Sequence, residues 1–281
     1  MILITGANGQ LGYSLQKILK KQNRSFMATD VGELNLLDFP TVEKYITDHE
    51  ISCIINCAAY NDVDKAESEP DLCFRLNAEV PAFLAKTARK YGCRYVTYST
   101  DFVFDGKKGS PYTDADEPCP LSVYSRAKRV GEISVFDQND KALVIRTSWV
   151  FGVANRNFNK QVIGWAEKNS VLKIVDDQVS SPTYSEDLAL FSLDLLDRNG
   201  SGIYHLSNGG EASKFDQAAY LLNRIGWKGE LLRAKSSDFT LAAERPAYSK
   251  LNSEKLETAV GKKIPSWQSG IDRYLEELNE Q

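Results

Sequence analysis

Tyr124 and Lys128 stand four residues apart, so on a helix their side chains share one face, a turn apart. A phenol titrates at about 10 and is a poor proton donor–acceptor at neutral pH. A neighbouring ammonium favours the phenolate and draws that value toward the working range. Such a pair suits ketone–alcohol interconversion, in which a hydride reaches carbon while the phenol protonates oxygen. The spacing alone is weak, because Tyr13 and Lys17 repeat it with no evident role. Context separates Tyr124. Tyr98-Ser99-Thr100-Asp101 closes an apolar run just upstream, which predicts a hydroxyl, Thr100, at the carboxyl end of a strand, where it can bond a substrate oxygen. A strand-end hydroxyl that only caps the backbone is the plainer alternative.

A hydride needs a carrier, and the chain opens with a loop suited to one. Thr5-Gly6-Ala7-Asn8-Gly9-Gln10-Leu11-Gly12 follows an apolar run and leads into a helical pattern. Glycines let the backbone approach a pyrophosphate, and a helix N-terminus offers N–H donors and partial positive charge. The spacing is GxxGxxG rather than GxGxxG, and a tight turn without a ligand is its competing reading. Asp30, at the end of the second apolar run, can accept both ribose hydroxyls of an adenosine and would repel a 2′-phosphate. NADH should then serve at least as well as NADPH. The five cysteines, Cys53, Cys57, Cys73, Cys93 and Cys119, lack metal-ligand spacing and read as free thiols of a reducing compartment.

These residues need a scaffold. Strands are expected at Ile2–Thr5, Ser25–Asp30, Ser52–Asn56, Arg94–Thr100 and Ala142–Thr147. Helices are expected at Gln10–Lys21, Pro40–His49, Asp71–Tyr91 and around Ser122–Phe136. Strand centres free of charge imply burial on both faces. The fold class is α/β: a doubly wound, Rossmann-like parallel sheet over 1–150, followed by a smaller substrate-binding lobe over 151–281 that partly shares the sheet's core. In that second part Asn157–Lys168 and Ser185–Asp197 look helical, and Val171–Val175 and Gly202–Leu206 look like strands. The polar loop Asp105–Pro120 should lie at the surface near the site.

The 281 residues are 42% hydrophobic and 26% charged, with a formal net charge of −4. No basic field is available to hold nucleic acid. Met1–Thr5 is too short for a signal peptide, and apolar runs such as Ile51–Tyr60 fall short of a membrane span. A cytoplasmic protein without membrane or nucleic-acid partners is expected.

Thr5–Gly12 with Tyr124 and Lys128 resembles the extended short-chain dehydrogenase/reductase superfamily. Longer strings narrow the likeness: Asn61-Asp62-Val63-Asp64-Lys65-Ala66-Glu67, Ser99 through Gly106, Arg146-Thr147-Ser148-Trp149-Val150-Phe151-Gly152, Asp177-Gln178 through Pro182-Thr183, Arg245-Pro246 and Leu251-Asn252. Over essentially the whole chain they resemble the dTDP-4-dehydrorhamnose reductase family. The resemblance implies NADH or NADPH held by Gly6, Gly9, Gln10, Leu11, Gly12, Asp30, Asp38, Phe39, Ala58, Ala59, Tyr60, Tyr124 and Lys128. It implies a nucleotide-sugar substrate touched by Thr100, Asp101 and Trp149, with Tyr124, Lys128 and Thr100 as the catalytic set. The implied reaction reduces the C4 ketone of a nucleotide-linked 6-deoxy sugar, dTDP-4-dehydro-L-rhamnose to dTDP-L-rhamnose, for cell-surface polysaccharide precursors.

Two positions depart from the family. Phe102 stands where Tyr is frequent, and Tyr13-Ser14-Leu15 replaces a stretch in which some relatives carry an acidic residue that helps hold a metal between subunits. Glu186 alone does not make a divalent site, so no metal and a monomer or homodimer are expected. A sugar 4,6-dehydratase needs an acid and a base after the threonine, and Asp101 is followed by Phe102. Reduction of another nucleotide-4-keto-6-deoxy sugar and a non-catalytic, cofactor-binding regulatory subunit stay open as alternatives.

Overall fold

The computed structural model of the protein describes residues 1–280. Its first half runs β1 (Ile2–Thr5), α1 (Gln10–Lys21), β2 (Phe26–Thr29), α2 (Phe39–Asp48), β3 (Cys53–Asn56), α3 (Pro70–Phe74), a π turn at Arg75–Glu79, α4 (Val80–Tyr91), β4 (Arg94–Thr100), α5 (Val123–Gln138) and β5 (Leu143–Thr147). The second half adds β6 (Val150–Phe151), α6 (Phe158–Ala166), β7 (Val171–Val175), β8 (Val179–Ser180), β9 (Thr183–Tyr184), α7 (Ser185–Asp197), β10 (Gly202–His205), β11 (Ala212–Ser213), α8 (Lys214–Arg224), β12 (Glu230–Ala234), α9 (Glu254–Val260) and α10 (Trp267–Asn279).

Six strands form one parallel sheet in the order β10-β5-β4-β3-β1-β2. Both faces are buried, as the uncharged strand centres require. Ile2, Ile4 and Ile55 pack with Leu15, Ile18 and Leu188 on one face. Leu3 and Ile54 pack with Val42, Leu84 and Val135 on the other. The chain leaves β1 in opposite directions to β2 and β3, so the crevice at the carboxyl ends of β1 and β3 is the switch point where such sheets bind ligands.

Two features go beyond the sequence pattern. The helix expected over 71–91 is interrupted, because Pro81 has no N–H to return to the carbonyl of Asn77 and the backbone widens into a π turn there. The turn presents Asn77, whose amide accepts from Tyr60 N and donates to Tyr60 O, both at 2.9 Å. The second feature is the origin of the sixth strand. Gly202–His205 pairs with Leu143–Arg146 in the main sheet, and α7 lies on α1, so the second half of the chain completes the first half's layers. The remaining elements build a lobe in which the β7–β12 pair, α6, α8 and α10 enclose Phe151, Leu172, Ile174, Leu221 and Trp267.

Candidate active site

A cleft runs along the carboxyl ends of β1, β3 and β4 as two cavities of about 390 and 530 Å³ that share Gly9, Cys57, Ala58, Ala59 and Asn61. Gly9, Gln10, Leu11 and Gly12 line the first, and Gly6 and Asp30 the second. The loop's glycines answer first to its own crowding. Gly6 has φ +66°, and a Cβ there would strike the Ala58 backbone, while a Cβ on Gly12 would strike Gly6 O. No side chain caps α1 at Gly9, so its first N–H groups face the cleft with the helix's positive end. Gln10 Nε2 donates to Asn155 O at 2.6 Å, which draws the loop after β6 over the glycines and places Asn155 and Arg156 in the lining. Sequence reasoning left both out.

Asp30 accepts from Asn8 N at 3.0 Å and from Val31 N at 2.8 Å, one bond to each oxygen. Each oxygen keeps lone pairs for a ligand hydroxyl. Among the described residues no lysine or arginine lines this cavity, whose wall around Asp30 is built from asparagines such as Asn8, Asn35 and Asn155 and from apolar residues such as Val31, Leu34 and Leu76. Asp38 and Phe39 are not in the lining. Asp38 caps α2, accepting from Thr41 N and Oγ1, and Phe39 stacks on Phe83 with centroids 4.3 Å apart. Tyr60 also turns away, its hydroxyl donating to Glu69 at 2.8 Å, and Asn61 and Val63 line the wall beyond it.

Thr100, Asp101, Tyr124, Lys128 and Trp149 meet in the first cavity. The Ser122–Ser125 capping box starts α5 and sets the register that brings Tyr124 and Lys128 inward together. Lys128 Nζ donates to Tyr98 O at 2.6 Å. Burial draws its ammonium down to about 8, against the opposing charge of Glu132 one turn further on. The expected lowering of Tyr124 by this ammonium is not what the structure gives. Burial raises the Tyr124 phenol well above its ordinary value, with a hydrogen bond to Thr100 working the other way. Lys128 donates to the Tyr98 carbonyl, and desolvation of the phenol sets the direction of its shift. Tyr124 is thereby kept as a neutral phenol, the form able to give a proton to a ketone.

The Thr100 hydroxyl accepts from Phe102 N at 3.1 Å and points its hydrogen at Asp101 Oδ1, 3.2 Å away. While Asp101 is ionised, Thr100 meets other partners as an acceptor. Asp101 is 2% exposed, and its second oxygen accepts from Ser180 Oγ and Ser249 Oγ. Burial lifts its carboxyl to about 6, which these three hydroxyls and the charge of Lys214 restrain. Trp149 holds a left-handed backbone, φ +46°, a strained choice for a bulky residue. One face of its ring is taken by Lys214 Nζ, 3.5 Å from the centroid. Phe102 meets Tyr124 edge-on at 6.4 Å and brings neither acid nor base.

Two distant strings of the sequence also converge. Asp64 and Arg245 form a two-point ion pair at 2.6 and 3.1 Å, joining the loop after β3 to the segment after β12. Lys17, of the duplicate Tyr-x-x-x-Lys spacing, has a structural role: its ammonium bridges Glu277 at 2.6 Å and Glu186 at 3.3 Å. The five cysteines are free, and no His, Cys, Asp and Glu grouping suited to a metal occurs among the described residues.

Comparison with known proteins identifies the family. The profile of the RmlD substrate binding domain family matches residues 1–280. The spore coat polysaccharide biosynthesis protein SpsK of Bacillus subtilis (strain 168) is 33% identical over 276 residues, covering 98% of this chain and 97% of that one. The crystal structure of a dTDP-4-dehydrorhamnose reductase from Clostridium acetobutylicum ATCC 824 superposes with a TM-score of 0.96 at 37% identity, covering 99% of each chain. A dTDP-4-dehydrorhamnose reductase from Bacillus anthracis str. Ames, solved in complex with NADP, gives 0.95 at 33% identity over 98% of each.

Proposed function

This chain belongs to the dTDP-4-dehydrorhamnose reductase family, and we propose that it reduces the C4 ketone of a nucleotide-linked 6-deoxy sugar, with dTDP-4-dehydro-L-rhamnose as substrate and dTDP-L-rhamnose as product. The observation that carries this reading is the Tyr124 phenol placed with Thr100 and Asp101 at the end of β4, in the same cleft as the uncapped start of α1. A bound nicotinamide dinucleotide supplies the hydride. The N–H groups of Gln10 and Leu11 would hold its phosphates, Asp30 its adenosine ribose, and Lys128 the ribose next to the nicotinamide. Tyr124 Oη gives its proton to the C4 oxygen as that oxygen gains charge. Thr100 and Asp101 fix the sugar's orientation, and the free edge of Trp149 packs against its ring. Residues 1–150 serve the cofactor and supply Thr100, Asp101 and Trp149 to the sugar, and the smaller lobe over 151–281 completes the substrate side, the two sharing one sheet.

The edge-on contact of Phe102 with Tyr124 argues against dehydration, because the position beside Asp101 lacks the second ionisable group that C5 deprotonation and C6 hydroxyl loss require. A screen of nucleotide-4-keto-6-deoxy sugars, following NADH loss and product configuration, tests the assignment. NADH consumption over the dTDP-linked keto sugar is expected. Dinucleotide binding with no oxidation over any of these sugars would instead identify a regulatory subunit.

No helix among the described residues is long and apolar enough to cross a membrane. We place the enzyme in the cytoplasm as a monomer or homodimer, supplying precursors of a cell-surface polysaccharide. At the adenosine end a carboxylate without a cation favours a ribose diol over a 2′-phosphate. kcat/KM with NADH is therefore expected to equal or exceed that with NADPH. Measured side by side, a preference for NADPH of roughly a hundredfold would show that Asp30 does not set the choice.

A further inference from the structure

Lys214 sits where a cation is least welcome. It is the first residue of α8, at the helix's positive end, and burial draws its amine down to about 7. Among the described residues no carboxylate pairs with it. Its ammonium is instead held between two rings, 3.5 Å from the Trp149 centroid and 4.6 Å from that of Phe158, contacts that favour a cation. Of the charges that reach it, Asp101 supports its protonation and Arg245 opposes it. A lysine kept against its solvation, stacked on a tryptophan that lines the cleft together with Asp101, is out of place as a packing residue.

We propose that Lys214 is a positioning residue for the sugar subsite: its ammonium clamps the Trp149 ring and supplies the counter-charge that keeps Asp101 an acceptor for Thr100. The proposal rests on the assignment of Thr100, Asp101 and Trp149 to the sugar. Trp149 cannot rely on its backbone for rigidity, since φ +46° is a poorly populated conformation. The ring therefore needs a fastening from outside its own backbone, and Lys214, stacked on one face, provides one. Asp101 in turn is faced by Thr100 from β4, Ser180 from β8, Ser249 from the segment after β12, Tyr124 from α5 and Lys214 from α8. Lys214 is the cation in that set. With Asp101 ionised, its Oδ1 competes with the Tyr124 oxygen for the Thr100 hydrogen. Once Asp101 is protonated, the carboxyl becomes a donor, and the Thr100 hydrogen is released toward the phenol and the sugar.

Lys214→Met keeps the unbranched stem and removes the charge. In the full-length enzyme with NADH, the expected result is a rise of about tenfold in KM for the keto sugar, with kcat within about threefold and NADH affinity within about twofold. The acidic limb of kcat/KM should move to higher pH, because loss of the cation lets the Asp101 carboxyl rise above about 6. Lys214→Arg should restore both. A purely structural lysine would lower thermal stability without moving the pH limb, and an unmoved limb with unchanged KM overturns the proposal. If the wild-type protein turns over no keto sugar, the functional reading has failed. The proposal is then decided by ¹³C NMR titration of the Asp101 carboxyl, where Lys214→Met must raise the midpoint by roughly half a unit or more and an unchanged midpoint overturns it.

Discussion

Tyr124→Phe is expected to lower kcat by at least ~100-fold while NADH affinity stays nearly intact, since general acids contribute on the order of 10²–10⁴. The substitution removes only the Oη atom. The ring keeps its place against Ala66, Cys73 and Ala127, so the fold has no reason to change. Thr100 cannot take over the proton, because its hydrogen is engaged by Asp101. Lys128 is a weak substitute, with its ammonium bonded to the Tyr98 carbonyl. Pre-steady-state measurement of hydride transfer together with a fluorescence titration of NADH separates the two effects. Near-normal turnover would mean that the proton comes from another group.

The second large effect is on stability. Beneath Lys128, Glu132 receives Arg146 Nε and Nη2, each at 2.8 Å, and both side chains are 1% exposed. Arg146 also donates to His205 Nε2 at 3.3 Å, which leaves Nδ1 to donate to Tyr112 O at 3.0 Å. Glu132→Leu would strand a guanidinium in the core, and a loss of about 3–5 kcal/mol is expected in denaturant unfolding. Glu132→Leu with Arg146→Met should recover most of it, because removing both charges removes the uncompensated one. A single-variant loss under about 1 kcal/mol would mean that water or a neighbour satisfies Arg146. Acid should erode the same cluster. Burial pushes the Glu132 carboxyl up, but Arg146 outweighs it and holds the group below its ordinary value. Its contribution is present above the unfolded value of about 4.3 and is lost as pH falls through the lower folded one. Burial, then the charge of Arg146, draws His205 down to about 4. From about 6.5 downward the unfolded chain therefore binds a proton that the folded chain refuses, and stability declines earlier than Glu132 alone would dictate.

Local periodicity carried much of the fold. Ile2–Thr5, Gln10–Lys21, Arg94–Thr100, Val171–Val175 and Ser185–Asp197 begin and end where their patterns place them, because each has a continuous apolar face or uncharged centre to bury. The lobe elements α8, α10 and β12 were hidden. α8 and α10 are mixed in composition, and in β12 only Ala234 is buried. Side-chain direction was harder to read. Asp38 and Phe39 neighbour the cleft in sequence, yet one caps a helix and the other stacks on Phe83. The i, i+4 rule brought Tyr124 and Lys128 together, but the rise of the phenol comes from burial, which no spacing reveals. Lys17 makes the same point from the other side, since only the fold brings Glu186 and Glu277 to its ammonium. Lys214 and Ser249 carry no motif at all, and Ser180 stands unremarked inside the Asp177–Thr183 string; all three become visible through Asp101.

The sixth strand bears on how the molecule assembles. β5 joins β10 across 54 intervening residues, from Thr147 to Gly202, and α7 must already lie on α1 for the helical layer to close. A ribosome that has released only the first half has produced a sheet with an open, apolar edge and an uncovered face, the surface most prone to pairing with another chain. Contacts of such long sequence separation are costly to close and slow to form. Folding is thereby deferred until the substrate-facing portion exists, and the nascent cofactor portion depends meanwhile on chaperones or on rapid synthesis.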